Sequence, residues 1–138
     1  MPTVLVDANV LLDIATEDPA WFAWSSEAIE RAADRGPLAI NPIAYAEVSV
    51  AYDRIEDLDA HLPADAYQRL PLPWAAAFLA GKCFRDYRRR GGRKRSPLPD
   101  CYIGAHAAVA GMSLLTRDAR RYRNYFPRLH LISPDRRR

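Results

Sequence analysis

Thr3-Val4-Leu5-Val6 runs straight into Asp7, and that junction restricts the fold more than any other stretch of the chain. An unbroken β-branched and apolar run of this length reads as a strand covered on both faces. A strand covered twice needs layers above and below it. A carboxylate set against such a core needs a partner, because desolvating an unpaired charge costs several kcal/mol. Beyond Asp7 come Asn9 and the apolar residues Val10 to Leu12, predicted as a short apolar turn.

The rest of the chain alternates. The stretch from Asp18 to Gly36, with Pro19 near its start, carries both boundary signals of a helix. Leu38 to Asn41 reads as a strand, and Asn41 with Pro42 as the cap and first position of a helix through Tyr52. A further helix is expected up to Leu62, and a strand at Tyr67–Leu72 that Pro71 confines to an end or edge. Helices follow from Pro73 to Gly91 and from Asp100 to Gly111, separated by a loop whose Arg, Lys and Gly content suggests mobility. Strand, short helix and strand complete the pattern through Ser133. Such alternation predicts a single α/β domain over residues 1–133 with a mostly parallel sheet, then a basic tail at 134–138.

Composition excludes several classes. With 49% hydrophobic and 27% charged residues, the chain is an ordinary globule rather than a disordered segment. No stretch approaches the roughly 18 apolar residues of a membrane span. Asp7 also interrupts any leader-like amino terminus, so the chain reads as cytoplasmic. Cys83 and Cys101 are too few and too isolated for a disulfide framework or zinc motif, and are expected to be buried small apolar residues.

The net charge of +3 is modest but unevenly spread. Acidic residues gather at 53–65, and arginines at 85–95, at 117–123 and in Arg136-Arg137-Arg138. Clustered Arg is the footprint of a polyanion partner, or simply of solvated helix ends. Four carboxylates stand apart from these runs. Asp7 and Asp118 each follow a strand, on the rim where open parallel sheets bind ligands. Glu47 is the lone charge of an apolar helix, and Asp100 opens another. Taken singly, Asp7 and Asp100 could be helix caps, and Asp118 could compensate the dipole of a helix's first turn or pair with Arg121 or Arg117. Their shared position on one rim is the informative feature.

The segments VLVDANVLLD, AYAEV, LPDCYIGAHA and LLTRDARRY, in this order and spacing, resemble the PIN-domain nucleases, most closely the VapC-type toxins of bacterial toxin–antitoxin pairs. The resemblance implies a sheet of about five strands between helices and a divalent-metal endoribonuclease. It also implies a homodimer or toxin–antitoxin hetero-oligomer, held inactive by a cognate antitoxin. Matched position by position, Asp7, Glu47, Asp100 and Asp118 correspond to the acidic catalytic and metal-binding set, with Asn9 and Thr116 as its polar supports. Ala8 stands where many relatives carry a hydroxyl residue.

The chemistry agrees. Converging carboxylates are hard ligands suited to Mg²⁺, with Mn²⁺ able to substitute, and such ions activate water for phosphodiester hydrolysis. Arg89, Arg93, Arg95 and Arg117 would then hold the RNA backbone beside an otherwise repulsive site. His106, off the Asp100 face, is expected to be a structural or interface histidine. The aromatics Trp21, Phe22 and Trp24 are either core or one wall of an antitoxin groove. A haloacid-dehalogenase-type reading fails because Asn9 stands where a second Asp is needed, and the only lysines are Lys82 and Lys94. A catalytically inactive module binding RNA or antitoxin is the remaining alternative.

Overall fold

Strand β1 (Val4–Val6) lies at the centre of a five-stranded, all-parallel sheet ordered β3-β2-β1-β4-β5 in the computed structural model, which describes residues 2–95 and 98–134. Its partners are β2 (Leu38–Ile40) and β4 (Ser113–Leu115), and the edges are β3 (Tyr67–Arg69) and β5 (Leu131–Ile132). Leu5 and Val6 are fully buried, as double coverage demands. Pro71 lies just beyond β3, on an edge as expected.

Among the described residues, seven helices flank the sheet: α1 (Ala8–Ala15), α2 (Phe22–Arg35), α3 (Pro42–Ser49), α4 (Ile55–His61), α5 (Trp74–Arg89), α6 (Pro99–Ala110) and α7 (Ala119–Tyr125). No helix of the described residues is long and apolar enough to cross a membrane. Residues 135–138 of the expected tail, including its arginines, and Ser96-Pro97 lie outside the described residues.

Three expectations are corrected. Residues 8–15 form helix α1 rather than a turn, and bury Ala8, Val10, Leu11 and Asp13. Two turns of helix are too short for their periodicity to be told from a loop by sequence. Helix α2 starts at Phe22 instead of at Pro19, because Asp18 Oδ1 accepts from the backbone of Ala20 at 2.8 Å and Trp21 at 3.0 Å and folds these residues into a turn. Finally, Cys83 on α5 and Cys101 on α6 are buried as expected but form a disulfide, their Cα atoms 5.7 Å apart. The packing of α5 on α6 brings together two cysteines separated by 18 positions. The loop between these helices is tied down at its start, where Tyr87 OH accepts from the backbone of Arg93 at 3.3 Å and Lys94 at 3.4 Å.

Helix α6 runs through the core, with buried residues along nearly its whole circumference. Gly104 permits this, since a Cβ there would overlap the Phe126 ring and meet Tyr122 at 3.0 Å. Gly104→Ala is therefore expected to destabilise the fold by about 1–3 kcal/mol through overpacking. Urea unfolding measures it, and a variant as stable as the parent would show that α6 and α7 do not pack this closely.

Candidate active site

Two neighbouring strands place the first two site residues. Val6 pairs with Leu115, and Asp7 N donates to Leu115 O at 2.9 Å, so Asp7 and Thr116 leave the sheet side by side. The strand order reverses here: the chain moves from β1 to β2 on one side and later returns to β4 on the other. That reversal opens the crevice in which parallel α/β sheets bind ligands.

Asp7 and Asp118 occupy helix N-cap positions, yet neither carboxylate caps its helix, and α6 is capped by Leu98 rather than Asp100. Asp7 instead lies close enough to Asp100 to feel its charge, and both act on Glu47. Thr116 Oγ1 donates to Asp7 Oδ2 at 2.9 Å and accepts from Asn9 Nδ2 at 3.2 Å and Asp118 N at 3.0 Å. Asn9 Oδ1 accepts from Arg117 N at 3.4 Å. Asn9 and Thr116 thus fix the turn that carries both aspartates.

Helix α3 supplies Glu47. Asn41 caps it by accepting from Ala44 N at 2.9 Å, while its amide group donates to His106 Nδ1 at 3.1 Å. This buried contact pins α3 to α6, and burial lowers the His106 pKa, which suits a neutral acceptor ring. His106 is structural, as expected.

Sequence reasoning missed Tyr122. Its buried hydroxyl donates to Asp7 Oδ2 at 2.8 Å and lies 3.4 Å from Asp100 Oδ1. Burial, then the Asp7 charge, raises the phenol pKa well above its ordinary value and keeps it a donor. A signal existed, since Tyr122 lies four residues after Asp118 and so shares its helix face. Arg121, weighed only as a partner of Asp118, binds two carboxylates: Nε reaches Asp118 Oδ2 and Nη1 reaches Asp100 Oδ2, both at 2.9 Å.

Burial, reinforced by mutual repulsion, marks the carboxylates of the cluster. Burial, reinforced by Asp100 and opposed by the Tyr122 and Thr116 hydroxyls, pushes Asp7 up to about 6. Burial and then the charges of Asp7 and Asp100 push Glu47 up to about 7, against the pull of Arg121. Glu47, Asp100 and Asp118 line a cleft of about 620 Å³ with Lys94, Arg120 and Arg121. Among the described residues, no three His, Cys, Asp or Glu side chains are already grouped to hold a metal ion. The oxygen donor set and its mutual repulsion nonetheless fit a hard divalent cation.

The PIN domain family model matches residues 4–127. The chain belongs to the PIN-domain family. No curated protein sequence matches it. Its PIN fold is similar to a chain of VapBC2 from Rickettsia felis bound to a promoter DNA fragment, at 17% identity and TM-score 0.72, covering 96% of this chain and 99% of that one. It is also similar to VapBC-1 of nontypeable Haemophilus influenzae (16%, TM-score 0.70, 95% and 97% covered) and to a toxin–antitoxin complex from Klebsiella pneumoniae (20%, TM-score 0.68, 96% and 98% covered).

The arginines of this PIN domain are dispersed. Arg117 Nε donates to the buried Asp13 Oδ2 at 2.8 Å, and its guanidinium lies 5.2 Å from the centre of the Trp21 ring. Ser25 Oγ donates to the same Asp13 oxygen, so this pair knits α1 and α2 to the end of β4. Arg93 and Arg95 line an adjacent cleft with Phe84 and Arg88, while Arg89 is exposed at the end of α5. The basic residues beside the carboxylates are Lys94, Arg120 and Arg121. Of the aromatics near α2, Trp21 meets Trp24 edge-on, Trp24 packs against the core, and Phe22 is exposed.

Proposed function

We propose that this PIN domain is a Mg²⁺- or Mn²⁺-dependent endoribonuclease acting as the toxin of a toxin–antitoxin pair. One observation carries the reading: Glu47, Asp100 and Asp118 come from separate elements to line one cleft, and Tyr122 ties the buried Asp7 to Asp100 beside it, while Asp7 and Asp118 leave unused the helix-capping roles their positions offer. Asp7, Glu47, Asp100 and Asp118 would hold the metal, and Asn9 and Thr116 would orient Asp7 and Asp118. When bound, the ion supplies the charge that activates water and neutralises the leaving oxygen. Tyr122 fixes the Asp7 carboxylate through its hydroxyl. Lys94 and Arg120, with Arg89, Arg93 and Arg95 further out, offer charge to the RNA backbone. Arg117 serves the fold through Asp13.

The antitoxin partner is supported by the likeness to the VapBC structures and by cleft carboxylates of the kind a basic side chain can pair with. Trp74 and Phe78, exposed on α5, supply apolar surface of the kind that marks interfaces and support a homodimer. The test is hydrolysis of total RNA by the purified chain. Cleavage is expected with millimolar Mg²⁺ or Mn²⁺, with loss in EDTA and recovery on adding metal. RNA or antitoxin binding without cleavage at any metal concentration would favour the inactive-module alternative.

A further inference from the structure

Arg121 has a bond its neighbours do not explain. Its pair with Asp118 is an ordinary contact between residues three apart on a helix, but the pair with Asp100 joins residues 21 positions apart. Two different nitrogens of one guanidinium span two carboxylates, one from the first turn of α6 and one from the N-cap of α7. Lys94 and Arg120 line the same cleft, yet among the described residues neither pairs with these carboxylates. Arg121 also offsets the repulsion that Asp7 and Asp100 exert on Glu47.

We infer that Arg121 is a resident cation of the carboxylate-bearing cleft, bridging Asp100 and Asp118 in the metal-free protein and yielding them when a divalent ion enters. The inference rests on the proposed metal site and adds a residue that sets its affinity. The bridge is suited to yielding. The Arg121 side chain is 63% exposed, and both acceptors are partly exposed, so each pair is weak and screened by solvent. A divalent ion brings twice the charge and binds carboxylate oxygens directly. Any basic segment that docks on Asp100 and Asp118 would have to break the same bridge.

Loss of both weak pairs predicts that Arg121→Gln binds Mn²⁺ with a Kd about tenfold lower than the parent. Arg121→Lys keeps the charge but cannot fork between two carboxylates, so its Kd should fall between the two. Arg120→Gln, which removes the same charge from the adjacent exposed position, should stay within about twofold of the parent because it breaks neither pair. The measurement is titration of free Mn²⁺ by electron paramagnetic resonance on the full chain. Asp7→Asn serves as the metal-site control, and circular dichroism confirms that each variant is folded. If Arg120→Gln tightens binding as much as Arg121→Gln, the effect is a general field and the inference is overturned. If Arg121→Gln matches the parent while Asp7→Asn abolishes binding, the inference fails and the metal site stands. If neither the parent nor Arg121→Gln binds Mn²⁺, the metal site itself is wrong and the inference falls with it.

Discussion

Asp7→Asn is expected to stabilise the metal-free protein at pH 8 while cutting RNA hydrolysis by roughly a hundredfold or more. The two effects share a cause. Asp7 is buried beside other carboxylates, and its pKa is raised from 3.8 to about 6. A raised carboxyl pKa means that the folded state holds its proton over a range in which the unfolded chain has released it. Stability therefore falls as pH rises from the unfolded value through about 6, and levels off once both states are ionised. The shift corresponds to roughly 3 kcal/mol of strain in the ionised form. Asn removes that charge at nearly constant shape, and its amide oxygen can still accept from the Tyr122 and Thr116 hydroxyls. The gain should be about 2 kcal/mol at pH 8 and near zero at pH 4. Activity moves the other way, because a ligand charge worth several kcal/mol to the transition state is gone. Urea unfolding in EDTA at the two pH values, with RNA cleavage assays on the same proteins, checks both. A stability difference independent of pH would show that Asp7 does not carry this burial cost, and unchanged cleavage would remove it from the active site.

The burial cost of the Asp7 carboxylate explains why that residue stood out in the sequence. A charge ending a doubly covered strand violates the local rule, and such violations gather where function needs them. The parallel sheet was legible for a related reason: short apolar runs at regular spacing, divided by Pro, Gly and Asn punctuation, leave few other arrangements. Asn41 and Pro42 even marked the first turn of α3. What stayed hidden was geometry made only by packing. Helix α1 is too short to declare its period, and the turn before α2 depends on a side-chain contact from Asp18. Clusters of arginine announce positive charge but not direction, so Arg117 gave no sign that it would turn toward Asp13 and Trp21. Arg121 and Tyr122 lay at helical spacing from Asp118, but their reach to Asp100 and Asp7 requires α6 and β1 to be in place first.

Breaking the Cys83–Cys101 disulfide is the second large effect, and it acts through the unfolded chain. The bond closes a loop of 18 residues between α5 and α6, and in the chain-entropy account its loss frees the unfolded state by about 3 kcal/mol. For a chain of this length that is a fall in melting temperature of roughly 10 °C. The native fold should survive reduction, because the buried core extends across the whole sheet and does not depend on this link. The site should feel it more than the fold. Cys101 follows Asp100 directly, and both cysteines line the same cleft as Glu47, Asp118 and Arg121. Dithiothreitol is therefore expected to lower the melting temperature of the parent while leaving its far-ultraviolet dichroism at room temperature unchanged. The Cys83→Ala/Cys101→Ala protein should melt near the reduced parent and ignore the reductant. Equal melting temperatures for oxidised parent, reduced parent and double variant would mean that the two cysteines do not form a stabilising bond in solution, returning them to the role of small buried side chains.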